Sequence, residues 1–574
     1  RRMTLELLFA ERNHNCMFCP DSGQCELQKM AYALQMDHLT VSQSFARFPT
    51  DVTGEYMTID HNRCILCGRC VRGCQEIAGC HVLGFHNRGP KTLVGFDLLE
   101  QREASTCINC GACLQVCPTG AISSRYRTHY AVKGQPAQSD AIASLCAGCG
   151  LLCPTLAVVR DNQLIKIEGF LSGTDGRPDR GQLCYKGRFE VLKTQGERLL
   201  VPMVKESNGR WREQSWEKAL NTISERLVAM KQRDGAGKLF GFASGALSNE
   251  ALMLFKELMV DGWGTEVDTL DGDRFRTLAA VQGNGAKEVS WERIGQADMI
   301  LVAGADPQKT HPMLLSLLRR ARIEEKRFIA TIGTIEGAAL FSSDYLPVEE
   351  KDLTSVLSLL TSMAGPSATP AKGKSALPSE HQAALQRIAQ AYAAAQAPLI
   401  IAGSPDAKAL TELYKLVRTN QTATGQSAAL VVLTPSANSA GAWRLGVAAR
   451  HAPSNTARGG LLLLGEERGE ALRPWQKGAP APDFLAVITP YFDSALAEIA
   501  QVLLPRPLWL EEDGSYTGMD GAQIFFKPKV LDPPKGVKPT WEILQDLAQG
   551  IDAPGAARSW QDIRTKAEQL LLVG

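Results

Sequence analysis

Two patterns of apolar residues run along the chain. Beyond about residue 190, short runs that are apolar throughout alternate with longer segments whose apolar residues recur at helical spacing. The first such pair predicts a strand in KLFGFAS and a helix in NEALMLFKELMVDGWG. A strand–helix–strand unit is predicted in ADMILVAGA, THPMLLSLLRRARIEE and RFIATIG, and further buried strands in APLIIAGS, ALVVLT and DFLAVIT. Parallel strands joined by crossover helices form a doubly wound α/β fold, which we expect here.

Two other stretches have patterns of their own. The residues PTLAVVRDNQLIKIEG alternate between apolar and polar on each side of an Asp-Asn pair, which predicts a β-hairpin. The stretch AGPSATPAKGKSALPSE, residues 364–380, is rich in Ala, Pro, Ser and Gly. It predicts a loop or linker that joins two α/β halves.

Length and charge balance exclude several classes of protein. With 574 residues the chain is long enough for roughly three or four domains. Its 62 Lys and Arg residues offset 61 Asp and Glu residues, and this balance argues against a nucleic-acid partner. No apolar run approaches the ~20 residues of a membrane-spanning helix. The chain begins with Arg1-Arg2, but the following residues lack the features of an export signal.

The cysteines are confined to the first third of the chain. All 16 lie between Cys16 and Cys184, and most belong to C-x-x-C runs. A secreted disulfide scaffold would be short and rich in cysteine throughout. The observed pattern instead predicts metal-bound thiolates in a reducing compartment, and therefore a cytoplasmic protein.

His14 and three cysteines form the first candidate site, within HNCMFCPDSGQCELQ. Cys16, Cys19 and Cys25 supply three thiolates and His14 supplies an imidazole. Together these groups can close a tetrahedral site on iron or zinc. A zinc knuckle with a bystander histidine is the alternative.

Two further runs, CILCGRCVRGC and CINCGACLQVCP, have the C-x2-C-x2-C-x3-C spacing of two-cluster bacterial ferredoxins. In that arrangement the first three cysteines of each run bind one [4Fe–4S] cluster and the fourth binds the other cluster. We therefore assign the first of these clusters to Cys64, Cys67, Cys70 and Cys117. The second is assigned to Cys107, Cys110, Cys113 and Cys74. The remaining Cys80 is predicted to be a small buried apolar residue rather than a ligand.

A fourth [4Fe–4S] cluster is predicted from CAGCGLLCP and GQLCYKGRF, with the ligands Cys146, Cys149, Cys153 and Cys184. The predicted hairpin brings the last of these back to the other three. Lys186 is a candidate cofactor-binding residue that bridges this cluster and a second cofactor, and a solvated lysine is the alternative. His311 follows a predicted strand. We interpret it either as a functional residue or as an ordinary histidine in a loop. A series of four clusters moves single electrons and does not transform an organic substrate.

Taken together, these motifs resemble the molybdopterin-oxidoreductase superfamily. The resemblance extends to SWEKAL, GADPQKTHPM, PDFLAVITPYFDSALAEIAQVLLP and EEDGSYTGMDGAQ. Within the superfamily, the chain is similar to the alpha subunits of cytosolic NAD-linked formate dehydrogenases and to the large iron–sulfur subunit of respiratory complex I. The resemblance implies α+β iron–sulfur modules at the N-terminus, followed by α/β doubly wound domains.

The chain departs from these relatives at several points. Such formate dehydrogenases have a molybdenum-binding Cys or selenocysteine followed by a His, and this chain has Asp271-Gly272-Asp273-Arg274 in that neighbourhood. The family's C-terminal β-barrel, which holds part of the pterin, would follow residue 550, and we expect it to be lacking. The family's His ligand lies four residues before the first Cys, where this chain has Arg12. The cysteine motifs lead us to expect four [4Fe–4S] clusters. The missing molybdenum ligand and β-barrel lead us to expect no molybdopterin.

Six segments are predicted from the motifs and patterns together. They are a His/Cys3 [4Fe–4S] module (1–50), a two-cluster ferredoxin-like domain (51–135), a further [4Fe–4S] domain (136–212), an α/β domain (213–363), the linker (364–380) and a second α/β domain (381–574).

The sequence predicts an electron-transfer and scaffold subunit of a soluble multi-subunit NAD(P)-linked oxidoreductase, with no catalytic residues of its own. Its expected partners are a flavin- and NAD(P)-binding subunit of the complex I type, a [2Fe–2S] subunit, and a separate catalytic subunit. The catalytic subunit would be a hydrogenase, a formate dehydrogenase or a disulfide-type reductase. Two alternatives stay open: the catalytic alpha subunit of a molybdenum or tungsten formate dehydrogenase, and a non-redox structural protein that binds zinc.

Overall fold

The computed structural model of the chain describes residues 1–45, 47–97, 105–126, 140–170, 180–193, 196–269, 272, 275–277, 294–335, 337–364, 378–403, 407–421, 428–434, 436–447, 458–467, 482–519, 524–551, 553 and 558–573. Most of the predicted linker, and Asp271, Asp273 and Arg274 at the predicted position of the missing molybdenum ligand, lie outside the described residues.

Small antiparallel sheets and short helices make up the N-terminal modules. Strands β1 to β5 are Thr50–Asp51, Met57–Asp60, Leu83–His86, Leu93–Phe96 and Ile122–Ser124. Strands β1, β2 and β5 form one antiparallel sheet, and β3 pairs with β4. The helices here are Arg2–Glu11, Glu26–Ala33, Arg69–Arg72 and Ala112–Val116. The cysteine runs lie in the loops and helix starts between these elements.

The predicted hairpin is confirmed and belongs to a three-stranded antiparallel sheet. Strands β6 (Asp140–Leu145), β7 (Pro154–Arg160) and β8 (Gln163–Gly169) pair in chain order. Asp161 and Asn162 join β7 to β8 with φ angles of 51° and 57°. A type I′ turn requires positive φ at both central residues, and Asp and Asn tolerate it. The loop between β6 and β7 carries three of the cysteines of the fourth site.

Two sheets with parallel strands form the core of the α/β part. Strands β9 to β22 are Met203–Lys205, Trp211–Glu213, Leu239–Ala243, Val267–Thr269, Met299–Ala303, Phe328–Ile332, Asp344–Leu346, Pro398–Ala402, Ala429–Val432, Gly459–Leu463, Phe484–Thr489, Val502–Pro505, Gly514–Thr517 and Ile524–Lys527. The seven-stranded sheet has the order β10-β9-β20-β19-β18-β11-β12, and the five-stranded sheet has the order β15-β14-β13-β16-β17. All pairs are parallel except those of β9 and β10. Strands β21 and β22 form a separate antiparallel pair.

Helices pack against both sheets, and the predicted α/β class is confirmed. The helices from Cys184 onward are Tyr185–Arg188, Trp216–Asp234, Asn249–Lys256, Pro307–Thr310, Pro312–Ile323, Glu350–Ala364, Ser379–Ala394, Ala407–Gln421, Ser439–Arg444, Ser494–Ile499, Thr540–Gln549 and Trp560–Val573. Every residue of β11, β13, β16 and β19 is buried, because helices cover both faces of a parallel sheet. This is why these strands are continuous apolar runs in the sequence.

Strand order corrects the predicted division of the α/β part at residues 364–380. The five-stranded sheet combines β13, β14 and β15, which precede this stretch, with β16 and β17, which follow it. In the other sheet β11 pairs with β18, so the five-stranded sheet is inserted in chain order between β12 and β18. Apolar runs predict where strands occur but not which strands pair, so composition alone marked the boundary wrongly.

The helix Pro312–Ile323, which connects β13 to β14 of the five-stranded sheet, packs against the ferredoxin-like segment. Arg320 of this helix donates a hydrogen bond from Nη1 to the carbonyl of Ile77. The Ser316 hydroxyl donates to the carbonyl of Ala78 at 2.7 Å. At Gly79, which has a φ of 63°, an added Cβ would lie 2.6 Å from Cγ of Arg320. Hydrogen bonds and a close backbone approach therefore hold the ferredoxin-like segment against the α/β part.

Gly403→Ala is expected to destabilise the five-stranded sheet. Gly403 follows β16, and an added Cβ would overlap the backbone of Gly304 and lie 2.7 Å from Cα of Ala305. Because backbone atoms cannot move aside, we expect a loss of about 1–3 kcal/mol, measured as a lower melting temperature. Gly237→Ala is the control, since its added Cβ meets nothing within 4 Å. Equal melting temperatures for the two variants would contradict the close approach.

Candidate metal centres

The four ligands predicted for the first site line one cavity. His14, Cys16, Cys19 and Cys25 all contribute to its wall, together with Gly120 from the end of the second ferredoxin-like run. A side chain at Gly120 would overlap the sulfur of Cys19. Glycine therefore keeps space open at the thiols, as a site for a bound metal group requires.

The ring of His14 has the chemistry of a metal ligand. Its Nε2 atom is buried and has no hydrogen-bond partner among the described residues. The backbone of Leu8 hydrogen bonds to the ring, a type of contact that orients metal-binding histidines. Burial lowers the pKa of His14 to about 4, so the ring is neutral at pH 7. A neutral imidazole with one free nitrogen can coordinate iron.

Arg12, which stands where the family has its histidine ligand, has a different role in this chain. Its side chain is buried, and its guanidinium donates to the carbonyl of His61 at 3.2 Å and to that of Thr92 at 2.8 Å. It also lies 3.8 Å from the ring centroid of Phe48. Arg12 therefore fixes the first module to the ferredoxin-like domain, and His14 is the histidine that faces the thiols.

The two ferredoxin-like runs have the same local backbone. In each run, the residue two positions after the first cysteine has a left-handed conformation, with a φ of 53° at Leu66 and 55° at Asn109. The N–H of Leu66 donates to the sulfur of Cys64, and the N–H of Asn109 donates to that of Cys107, both at 3.4 Å. Hydrogen bonds to thiolate sulfurs tune iron–sulfur clusters. The chain thus contains one thiol-binding loop twice.

Glycine starts the helix in each loop. Gly68 and Gly111 have φ angles of 70° and 74° and precede the helices Arg69–Arg72 and Ala112–Val116. A side chain would be strained at either position. The left-handed glycine turns the chain so that the third cysteine of each run lies in the first turns of a helix.

Neighbouring thiols match the predicted exchange of the fourth cysteines. Burial raises the pKa of Cys70 to about 12, and the nearby thiols that add to this are Cys117, Cys64 and Cys67. Burial likewise raises the pKa of Cys74 to about 12, with contributions from Cys110 and Cys107. The structure therefore brings the fourth cysteine of each run to cysteines of the other run.

All four cysteines of the fourth site are buried and lie together: Cys146, Cys149, Cys153 and Cys184. The N–H of Gly148 donates to the sulfur of Cys146 at 3.4 Å, which repeats the bond seen in the ferredoxin-like loops. An added Cβ at Gly187 would lie 2.8 Å from the same sulfur. Burial raises the pKa of Cys149 to about 12, and Cys184 adds to this. Metal binding must therefore displace thiol protons.

Cys80, predicted as a packing residue, hydrogen bonds to the thiol of Cys110. This bond lowers the pKa of Cys110 and raises that of Cys80. The neighbours of Cys80 include residues of two cores. One core surrounds the ferredoxin-like thiols, and the other contains the fourth site. Cys80 thus touches a predicted ligand.

Lys186 lies at the boundary between the fourth site and the α/β part. Its Nζ atom is 3.5 Å from the carbonyl of Thr310. It lines a cleft together with Gly148, Glu466 and Trp509. Its charge acts on the buried thiols of the fourth site and opposes the rise of their pKa values. This position agrees with a charge between a cluster and the cleft.

The burial of two polar residues and the partial burial of one carboxyl group near these sites were not predicted from the sequence. His311 lies in the one-residue connection between the helices Pro307–Thr310 and Pro312–Ile323, and it is fully buried there. Arg188 is buried beside the fourth site. Glu466 follows β18, and burial raises its pKa to about 7. A carboxylate directly after a buried parallel strand is a sequence signal that could have identified Glu466.

The chain belongs to the molybdopterin oxidoreductase family, which matches residues 198–550. The molybdopterin oxidoreductase Fe4S4 domain matches residues 140–194. The earlier part matches the NADH-ubiquinone oxidoreductase-G iron–sulfur binding region (1–39), the ferredoxin-like domain of NADH-quinone oxidoreductase subunit 3 (54–123) and a 4Fe-4S dicluster domain (106–157). The chain therefore carries 4Fe-4S cluster-binding domains ahead of a molybdopterin oxidoreductase domain.

Three known proteins illustrate the resemblance. The NADPH-Fe(3+) oxidoreductase subunit alpha of Geobacter sulfurreducens is 28% identical over 314 residues, 53% of this chain and 35% of that protein. A Staphylococcus aureus protein, named provisionally as a formate dehydrogenase, is 25% identical over 348 residues, 54% of this chain and 35% of that protein. The chain thus spans about a third of the length of these relatives. A chain of the formyltransferase/hydrolase complex of Methylorubrum extorquens has 17% identity and a TM-score of 0.46, covering 62% of this chain and all of that one.

The Geobacter sulfurreducens relative is named as the alpha subunit of its oxidoreductase. No helix in the described part of the chain is both long enough and apolar enough to cross a membrane.

His14→Ala is expected to perturb the first cluster alone. The free Nε2 atom would be lost while the thiols of the other three sites keep their positions. We expect one of four cluster signals to change in the EPR spectrum of the reduced protein. His38→Ala is the control, because this histidine belongs to the same module but is exposed. An EPR spectrum of His14→Ala that matches the wild type would identify another residue as the ligand.

Proposed function

We propose that the chain is an electron-transfer and scaffold subunit of a multi-subunit NAD(P)-linked oxidoreductase. In this proposal, electrons pass through four [4Fe–4S] clusters between a flavin subunit, assisted by a [2Fe–2S] subunit, and a separate catalytic subunit. The catalytic partner is a hydrogenase, a formate dehydrogenase or a disulfide-type reductase. Reduced thiols in this number require a reducing compartment, so we place the complex in the cytoplasm.

The observation that carries this proposal is the continuity of the four thiol sites. Thr119 and Gly120, which directly follow the second ferredoxin-like run, line the cavity of the first site. The two ferredoxin-like sites share one buried core that contains Cys70, Cys74 and Cys113. Cys110 then lies in the same core as all four cysteines of the fourth site. Each site is therefore a neighbour of the next.

The chemistry supplied by [4Fe–4S] clusters at these sites would be one-electron transfer. The chain's own residues hold the thiols, bury those of the fourth site, and donate N–H bonds to the sulfurs of Cys64, Cys107 and Cys146. Thiols buried in this way suit a relay, because an exposed cluster would exchange electrons with other acceptors. The buried thiols Cys146, Cys149 and Cys153 are the clearest example.

The alternative of a molybdenum or tungsten formate dehydrogenase draws support from the cleft beside Lys186. That cleft lies where a second cofactor could meet the fourth site, and one relative is provisionally a formate dehydrogenase. Its described lining, however, contains no cysteine or histidine, and the sequence has no cysteine after Cys184. Glu466, which is half-buried, instead contributes a carboxyl group to the lining of the cleft. These residues do not supply the protein ligand that molybdenum has in the formate dehydrogenases that the chain resembles.

The alternative of structural zinc requires closely grouped ligands. Zinc holds four ligands at about 2.0–2.3 Å from the metal. Within the described residues, no group of three or more His, Cys, Asp or Glu side chains is arranged to hold a single metal ion. An assay for iron and acid-labile sulfide separates iron–sulfur clusters from structural zinc, because zinc sites contain neither iron nor sulfide.

Metal analysis of the purified chain tests the absence of a molybdenum site. Cells supplied with molybdate and tungstate are expected to yield protein with about sixteen irons, four for each cluster, and no stoichiometric molybdenum or tungsten. About one molybdenum or tungsten per chain would overturn the scaffold proposal in favour of the catalytic alternative.

Cys113→Ser is expected to interrupt electron transfer through the assembled complex. Loss of this ligand removes one cluster from the middle of the series, so reduction of the terminal acceptor by NAD(P)H should fall at least tenfold. Reduction of the flavin should be unchanged, because it occurs before the clusters. Arg88→Ser is the control, since Arg88 is exposed in the turn between β3 and β4 of the same segment. A parallel loss of flavin reduction and terminal reduction would contradict the relay.

A further inference from the structure

Arg188 lies between two of the candidate sites. It ends the helix Tyr185–Arg188, and its N–H donates to the carbonyl of Cys184, a ligand of the fourth site, at 3.0 Å. Its side chain extends to the ferredoxin-like loop, where Nε donates to the carbonyl of Cys110 at 3.0 Å. The residue is 2% exposed. A single residue therefore connects the two sites, with its backbone at the fourth site and its side chain at the second ferredoxin-like site.

The hydrogen-bond acceptors of this guanidinium within the described residues are neutral. Besides the Cys110 carbonyl, Nη2 donates to the amide oxygen of Gln115 at 2.6 Å and to that of Gln182 at 3.5 Å. A buried cation that has only neutral partners is costly. The nearest carboxylate that acts on it, Glu168, already pairs with Lys166 at 3.1 Å. The remaining negative charges that face Arg188 are sulfurs of the predicted ligands Cys110, Cys113 and Cys184.

One end of the guanidinium has no partner in the protein. Nη1 is buried and makes no hydrogen bond within the described residues. An unsatisfied buried donor in a native fold calls for an explanation such as a bound group. The ligand loop is also shaped around this side chain, because a Cβ at Gly111 would overlap Cδ of Arg188 and lie 2.7 Å from Nε. A glycine in the cysteine run thus admits the cation to the edge of the site.

We infer that the fixed positive charge of Arg188 raises the reduction potential of one cluster. This is the cluster held by Cys74, Cys107, Cys110 and Cys113. A fixed positive charge stabilises the reduced, more negative form of a nearby cluster, and hydrogen bonds toward its sulfurs act in the same direction. This inference rests on the proposed function, since it requires clusters at both sites. In the relay, the charge of Arg188 then stabilises an electron on this cluster.

The test uses the full chain with its clusters loaded and measures midpoint potentials by EPR-monitored redox titration. Arg188→Gln and Arg188→Met remove the charge, and Arg188→Lys keeps it. In the neutral variants we expect the potential of the Cys110 cluster to fall by an amount equivalent to at least a tenfold change in the one-electron equilibrium, which is 59 mV. The lysine variant should keep most of the wild-type potential. Two neutral variants are used so that either can decide if the other fails to fold.

Arg506→Met is the matched control, because this arginine is also buried but hydrogen bonds to Thr540 and Glu512 in the α/β part. It should leave all four potentials unchanged. An unchanged Cys110-cluster potential in a neutral variant overturns the inference and leaves the relay standing. An equal shift in the lysine variant shows a structural role and also overturns the inference. Loss of the cluster in both neutral variants, with an unchanged potential in the lysine variant, leads to the same conclusion. Wild-type protein without iron–sulfur signals would instead overturn the proposed function.

Discussion

The structure depends on backbone N–H groups that point at cysteine sulfurs. In three separate loops the residue two positions after the first cysteine donates to that sulfur: Leu66, Asn109 and Gly148. Two of these residues accept left-handed backbone angles that side chains disfavour. The thiols of these loops pack in two apolar cores, where Cys146 is buried and Cys64 and Cys107 are half-buried. Three of the four candidate sites therefore begin with the same local contact between backbone and sulfur.

Much of the fold could be predicted from the sequence, because parallel strands covered on both faces are continuous apolar runs. The strands around Leu239–Ala243 and Phe484–Thr489 are examples. Strand order could not be predicted in this way. The pairing of Leu239–Ala243 with Gly459–Leu463 joins segments more than two hundred positions apart, and no local pattern records it. The predicted division between two α/β domains was wrong for this reason.

The candidate ligands could be predicted because the spacing of cysteines follows directly from the geometry of the groups they bind. Their surroundings could not be predicted. Arg12 and Arg188 are both buried, yet in the sequence they look like ordinary surface arginines. Burial of a long charged side chain depends on partners distant in the chain, such as Thr92 for Arg12 and Cys110 for Arg188. Only the three-dimensional structure shows these partners.

The contact of Gly79 with Arg320 gives the α/β part a mechanical role. The backbone at Gly79 approaches the helix so closely that no larger residue fits, and two side chains of that helix hydrogen bond to the carbonyls just before it. The lobe can therefore serve as a rigid mount that sets the spacing of the thiol sites, whether or not it has any chemistry of its own. Tunnelling between redox centres weakens steeply as their separation grows. In the proposed relay, a lobe that fixes the separation of the sites therefore also fixes the rate of transfer between them.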